Sequence, residues 1–261
     1  MDVTIPPEDR ALASLAERGR RAQWSAERDV DWQLSVRSPL WLSRRAYVSA
    51  ISQLYHGEVA TIRACRRLAD EIADPAARDC LDVQIADEMR HASAYAAYLD
   101  RLGGVAPIDP AVADAHDEGM AWKGGPAALV VLYHVVLEGE ALMLHGDFRR
   151  WFRCPLFRAI NRRIEVDEAR HVAFGRHYLR SRLARMPTDQ RLDIYRWVRR
   201  LWRAAAESTA ERYWGWILAP RRLKRNNLQR RWAGHVDTLI GVGLVSAEEV
   251  RALGDPVGAA R

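Results

Sequence analysis

The sequence predicts an all-α protein: four long antiparallel helices in a bundle, with an arm before them and additional C-terminal helices packed on them. Three observations lead there. Apolar residues recur at helical spacing along most of the 261 residues. Pro-led starts and Gly or Pro stops divide the chain into helix-sized lengths. The pattern Glu-x28-Asp-Glu-x-Arg-His occurs twice, at a spacing that two helical hairpins explain.

Residues 1–38 read as an arm with a short helix, Pro7–Arg21, followed by a stretch at 24–32 that contains Glu27, Asp29 and Asp31. The first long helix is expected from Pro39 to about residue 72, with Leu54, Tyr55, Glu58, Ile62 and Cys65 on one inward stripe. The second runs from Pro75 to about residue 102 and stops at Gly103-Gly104. A connection with a short helix after Asp109-Pro110 closes at Gly124-Gly125-Pro126 and can cross the end of the bundle. The third helix, from 127 to about 151, is apolar nearly all round, as a buried helix should be, and the fourth spans 155 to about 185. Residues 188–219 read as a fifth helix and 221–253 as one or two more. The bundle is thus expected over 39–185 and the C-terminal extension over 186–261, in a single domain overall.

At 49% hydrophobic residues the chain can bury a large core. Its first ten residues are acidic and proline-bearing, unlike a signal peptide, and its most apolar stretch, 127–137, is too short to span a bilayer and contains His134. Cys65, Cys80 and Cys154 form no C-x-x-C pair, which excludes an iron–sulfur module in this chain and suggests a reducing, cytoplasmic setting. Net charge is +6, yet Lys123 and Lys224 are the sole lysines beside 38 arginines, a bias that looks compositional. Arg196, Arg199, Arg200 and Arg203 form a helical stripe interleaved with Trp197, Trp202, Trp214 and Trp216. It reads as a solvated face with Trp packed on the bundle, or as a dock for an acidic carrier, a redox donor or a membrane surface. No nucleic-acid recognition motif accompanies the charge.

The repeat carries the chemistry. Glu58 precedes Asp87-Glu88-Met89-Arg90-His91, and Glu138 precedes Asp167-Glu168-Ala169-Arg170-His171. In each Glu-x-x-His the two side chains share a helix face about one turn apart, which makes a metal-ligand pair. The midpoints, Ala73 and Arg153, fall just before the turn signals Asp74-Pro75 and Cys154-Pro155. At about 1.5 Å per residue, each Glu stands roughly 22 Å from its turn and its partner returns to the same height. Two hairpins then offer four carboxylates and two histidines to one interior site. Glu138 sits in the most apolar helix, where a carboxylate is costly unless paired or metal-bound. Chance salt-bridge motifs on solvated faces are the bland alternative, and the matched upstream Glu residues argue against them.

The repeated motif resembles that of the ferritin-like di-iron carboxylate superfamily over residues 40–185. The likeness is to the branch with bacterial multicomponent monooxygenases, ribonucleotide reductase small subunits and arylamine N-oxygenases. The resemblance implies a ferritin-like four-helix bundle with two iron ions, or a Mn/Fe pair, and O2 as co-substrate. Carried over by position, it makes Glu58 and Glu138 terminal ligands, Glu88 and Glu168 bridging ligands, and His91 and His171 the nitrogen ligands, one per metal. Asp87, Asp167, Arg90 and Arg170 would hold the histidines, since a ligating imidazole needs its other N–H fixed by an acceptor. Residues 24–32 have a faint likeness to a segment that wraps the bundle in some relatives, surface packing being the simpler reading.

Tyr95, four residues after His91, stands where the reductases have a radical-forming tyrosine, and is otherwise a buried tyrosine with an ordinary hydrogen bond. Arylamine N-oxygenases have a third histidine where this chain has Ile164. His134 and Glu165 are candidates for an additional ligand, His134 being otherwise a satisfied core histidine. Glu140 rivals Glu138, but the matched spacing favours Glu138. Ala92, Gly139, Ala141 and Gly175 either leave room for oxygen and substrate or permit close packing, and Leu142 and Phe174 would give a pocket apolar walls.

Oxygen ligands with two nitrogens and no thiolate suit iron or manganese better than zinc or copper. The resemblance implies a non-haem di-iron oxygenase or oxidase, monooxygenase-like, acting on a small organic substrate, free or carrier-bound. Hydroxylation, N-oxygenation, desaturation and oxidative cleavage all fit. Without a flavin or nicotinamide fingerprint, electrons are expected from an external ferredoxin or reductase. A ferritin-like iron-handling protein and a radical-generating or mixed Mn/Fe oxidase are the other readings. A homodimer through the first hairpin, as in several relatives, stays open.

Overall fold

In the computed structural model, which describes residues 7–213 and 221–257, α1 (Pro7–Arg21) precedes two long hairpins. The first joins α2 (Arg44–Glu71) to α3 (Pro75–Asp100), where the Asp74 carboxylate accepts from the N–H groups of Ala76 and Ala77 and Pro75 opens the new helix. After α4 (Pro110–Ala121), capped by Asp109 in the same way, comes an interrupted helix. It begins as α5 (Pro126–Val130), passes through a π-helical stretch (Val131–Leu137) and continues as α6 (Glu138–Trp151). Cys154-Pro155 then turns the chain into α7 (Pro155–Ala184). The extension is α8 (Thr188–Tyr213), α9 (Arg221–Gly241) and α10 (Ala247–Ala252). Among the described residues every regular element is helical, and the fold is the ferritin-like bundle that the repeat implied.

Details depart from expectation for local reasons. The first long helix begins at Arg44 rather than Pro39, because Ser43 caps it by accepting from the Ala46 N–H, while residues 39–42 close a turn. Its buried stripe runs through Leu54, Glu58, Thr61, Cys65 and Leu68, leaving Tyr55 and Ile62 half-buried. The π stretch was not foreseen, since no Pro or Gly marks it. The end of the expected fifth helix, with Trp214 and Trp216, lies outside the described residues. Pro126–Trp151 is long and apolar enough to cross a bilayer, yet 61% of its apolar window is buried inside the bundle.

Two apolar clusters flank the centre. One gathers α1, the π stretch, α8, α9 and the far half of α7; the other gathers the start of α2, the end of α3, Phe148, Phe152, Phe157 and the arm residues Trp24 and Val30. Between them lies a buried polar layer containing Glu58, Gln84, Glu88, His91, Glu138, Glu168 and His171. The extension is fastened by Glu140, which pairs with Arg231 and accepts from Trp202 Nε1 at 3.0 Å and His235 Nε2 at 2.8 Å. Glu140 therefore points away from the centre and ties α6 to α8 and α9. Burial opposes its charge, but Arg231 and His235 hold its carboxyl well below the usual range.

Gly175 has a packing role. A Cβ there would lie 2.8 Å from His134 Cβ and 3.3 Å from the His134 carbonyl group, so α7 meets the π stretch at backbone distance. Gly175→Ala should lower stability by about 1–3 kcal/mol through overpacking. Thermal unfolding followed by circular dichroism measures this, and an unchanged Tm would mean that the π stretch yields freely.

Candidate metal centre

Glu58 stands midway along α2, Glu88 and His91 along α3, Glu138 directly after the π stretch, and Glu168 and His171 along α7. The structure brings all six together, none more than 7% exposed. Glu58, Glu88, His91 and Glu168 offer ligand atoms within 4.8 Å of one another, and so do Glu88, Glu138, Glu168 and His171. Glu88 and Glu168 belong to both sets.

The two imidazoles are aimed alike. His91 Nδ1 lies 3.2 Å from Glu88, 3.5 Å from Glu58 and 3.4 Å from Glu168. His171 Nδ1 lies 3.1 Å from both Glu88 and Glu168 and 3.6 Å from Glu138. Their outer nitrogens are held crosswise: His91 Nε2 donates to Asp167 Oδ2 at 3.1 Å, and His171 Nε2 donates to Asp87 Oδ2 at 3.2 Å. Each aspartate serves the histidine of the other motif, an exchange that sequence spacing cannot show. Arg170 reaches Asp87 and Asp167, both at 2.7 Å, and Arg90 pairs with Asp87.

The arm completes this polar face, which corrects its reading as surface packing. Gln23 Nε2 donates to Asp87 Oδ1 at 2.9 Å and Trp24 Nε1 donates to Asp167 Oδ2 at 2.8 Å. Trp24 also stacks at 6.1 Å on His91. Gln84, missed in the sequence, is fully engaged: its amide N–H groups reach Glu88 at 2.8 Å and Glu138 at 3.0 Å, and its carbonyl accepts from His134 Nε2 at 3.0 Å. The available signal was its place one turn before Glu88 on an inward face.

Other candidates are placed elsewhere. His134 faces Gln84 and belongs to neither ligand set; burial lowers its pKa to about 3, so the ring is neutral. Glu165 pairs with Arg149 outside the sets. Tyr95 is fully buried, donates to Asn161 Oδ1 at 3.0 Å and accepts from His145 Nε2 at 2.9 Å. Burial lowers the pKa of His145 to about 4. A Cβ at Gly139 would meet the His235 ring at 3.5 Å, so this glycine faces the extension rather than an oxygen pocket. A cavity of about 20 Å³, enough for one water, lies beside Gln84 and His171 with Phe174 in its wall; Leu142 is not part of that wall.

Electrostatics divides the carboxylates into pairs. Burial raises the pKa of Glu58 and Glu138, reinforced by the charges on Glu88 and Glu168. Burial also opposes charge on Glu88 and Glu168, but His171 beside Glu88, and hydrogen bonds from Glu138 and His171 to Glu168, hold these two low. Both histidines are raised despite burial, chiefly by Glu58 at His91 and by Glu88 at His171. Protonation is thus favoured on both imidazoles and on Glu58 and Glu138 relative to the same groups in water. Two divalent ions on four carboxylates and two neutral imidazoles would be neutral. The donor set, with each Nδ1 directed inward among carboxylate oxygens and each Nε2 anchored, fits iron or manganese.

No family model matches the sequence, and no curated protein matches it either. Solved structures do. A protein from Synechococcus with aldehyde deformylating oxidase activity superposes with a TM-score of 0.66 at 23% identity, over 80% of this chain and 94% of that one. A variant of an R2-like ligand-binding oxidase with an anaerobically reconstituted Mn/Fe cofactor gives 0.66 at 16% identity, over 94% and 95% of the two chains. Another variant of that oxidase, with an aerobically reconstituted Mn/Fe cofactor, gives 0.64 with the same identity and coverage. The fold is the one these solved structures share, a ferritin-like helical bundle. In this ferritin-like frame the six converging residues occupy the bundle centre, with the arm and the extension packed around it.

Two outcomes follow from the geometry. Asp87→Ala and Asp167→Ala should each lower metal affinity by about 10–100-fold, because each releases the histidine of the opposite motif; anaerobic titration of the apoprotein with ferrous iron reads this. Loading should release protons, so affinity falls as pH falls and protons compete with metal at the imidazoles, Glu58 and Glu138, all of whose pKa values are raised. An indicator dye in weak buffer counts them, and release of none would contradict this competition.

Proposed function

We propose that this chain is an O2-dependent di-metal oxidase acting on a small organic substrate, with two irons or a Mn/Fe pair held by Glu58, Glu88, His91, Glu138, Glu168 and His171. The observation that carries this is the sharing of Glu88 and Glu168 between two buried ligand sets. A carboxylate can give one oxygen to each of two cations, so these two would bridge while Glu58 with His91 and Glu138 with His171 complete the separate ends. When bound, the metal pair supplies the electrons that reduce O2 for attack on a strong bond.

The chain's own groups prepare the place for it. Asp87 and Asp167 accept from each Nε2–H and so direct each Nδ1 inward, where it could give its lone pair to a metal once its proton is displaced. Gln84 fixes the orientation of Glu88 and Glu138 through its two N–H groups. The apolar clusters on either side exclude water and strengthen every charge interaction between them. A surface cleft of about 340 Å³, lined by Arg21, Arg162, Arg163 and Trp24 among others, opens over the Trp24–Asp167–His91 run of hydrogen bonds. An external electron donor, ferredoxin or reductase, would deliver there.

The names of the structural neighbours, one with aldehyde deformylating oxidase activity and others with Mn/Fe cofactors, support an oxidase class. Within it we place monooxygenase-like chemistry first, whether hydroxylation, N-oxygenation, desaturation or oxidative cleavage, in the cytoplasm. Tyr95, hydrogen-bonded to His145 and Asn161 one turn from His91, supports a second reading, a radical-forming oxidase.

Anaerobic loading followed by O2 tests the proposal. Uptake should saturate at two ions per chain, with O2 consumed and no mineral formed; uptake that continues would make this an iron-storage protein. Glu88→Ala or Glu168→Ala should remove most binding of both ions and the O2 reaction, whereas Glu58→Ala should weaken chiefly one ion. A persistent tyrosyl signal lost in Tyr95→Phe would favour the radical reading.

A further inference from the structure

Residues 37–45 and 149–153 lie side by side near the turn of the second hairpin. The Arg37 N–H reaches Cys154 Sγ at 3.3 Å, the Leu156 N–H reaches the Ser35 carbonyl at 3.5 Å, and the Trp41 ring packs on Trp151 and Phe152 at 5.8 and 6.2 Å. Three large apolar side chains face solvent here: Leu40 entirely, Trp41 at 53% and Trp151 at 55%. The same two segments carry Arg37, Arg44, Arg45, Arg149, Arg150 and Arg153, all exposed, with Arg44 Nε donating to the Leu102 carbonyl at 3.3 Å, and neither segment contains an acidic residue.

This differs from the arginine stripe on α8, where Arg196, Arg199, Arg200 and Arg203 each pair with an acid and Trp197 and Trp202 are buried. Among the described residues, only Arg149 of the six at the patch has an acidic partner within ion-pair distance, Glu165. Arg44 and Arg45 moreover occupy the first turn of the 28-residue α2, whose dipole already carries positive potential there, so an anion would relieve a repulsion built into the free chain.

We infer that this end of the bundle docks on an anionic phospholipid membrane as a peripheral contact. Leu40 and the faces of the two indoles enter the boundary of the acyl chains, while the guanidinium groups meet lipid phosphates, which their planar fork suits. A second copy of the chain fits poorly, because twofold pairing through this patch would set two arginine rings face to face.

Co-sedimentation of the full chain with phosphatidylcholine vesicles, with and without phosphatidylglycerol, tests this. Binding should require phosphatidylglycerol and weaken with salt. It should fall by about fivefold for each of Arg44→Gln and Arg45→Gln, and by about tenfold or more in Trp41→Ser with Trp151→Ser. Leu40→Asn keeps the test valid if the tryptophan variants misfold, because the Leu40 side chain is fully exposed; circular dichroism and metal content of each variant report the fold. Absence of binding to phosphatidylglycerol vesicles, or binding that these substitutions leave unchanged, overturns the inference. So does light scattering that shows a dimer made monomeric by Leu40→Asn, which would put a second copy on the patch.

Discussion

Four carboxylates buried in two overlapping clusters, each only a few ångströms across, are the constraint around which this molecule is built. Like charges at that distance in a poorly solvated interior repel strongly, so the bundle can close only with positive charge among them. The same repulsion raises the pKa values of Glu58 and Glu138, and the carboxylates raise those of His91 and His171, so proton binding at all four is favoured. The surrounding polar layer is the structural response. Gln84, the crossed aspartates, two arginines and the arm side chains Gln23 and Trp24 leave few of the layer's polar groups unpaired.

That layer also divides the hydrophobic core. Apolar side chains above and below it form two clusters rather than one, and the helices crossing it must be positioned by more than greasy packing. The interrupted third helix meets this demand. Its π stretch lets His134 pack against Gly175 and reach Gln84, and normal α-helix resumes at Glu138. On its other side Glu140 engages α8 and α9, so two acidic residues separated by Gly139 serve opposite purposes, one facing the centre and one securing the extension.

Much of this was legible in the sequence because helical hairpins translate spacing into height. The matched intervals between Glu58 and Glu88 and between Glu138 and Glu168 were enough to predict two hairpins and a shared interior, and the turn residues marked their ends. Contacts whose partners come from different hairpins were not legible. The crossing of Asp87 and Asp167 depends on how α3 and α7 face one another, and no interval within one motif encodes that rotation. Trp24 looked like any surface tryptophan, because its partner Asp167 is 143 positions away. The π stretch was hidden for a different reason: its run of Val, Leu and Tyr suits an ordinary buried helix equally well, and only tertiary packing selects between them.

The exchange of aspartates has a meaning for how such a centre can arise. Reciprocal contacts, in which each half gives the other what it receives, are the hallmark of a twofold axis between identical subunits. Here the axis is internal and relates two stretches of one chain. A single helical hairpin carrying one copy of the motif, met by its twin, would already bring together four carboxylates, two imidazoles and both supporting acids. Within the one chain the halves differ elsewhere, Gln84 standing in one and the interrupted helix in the other, while the crossed contacts at the centre are the same on both sides.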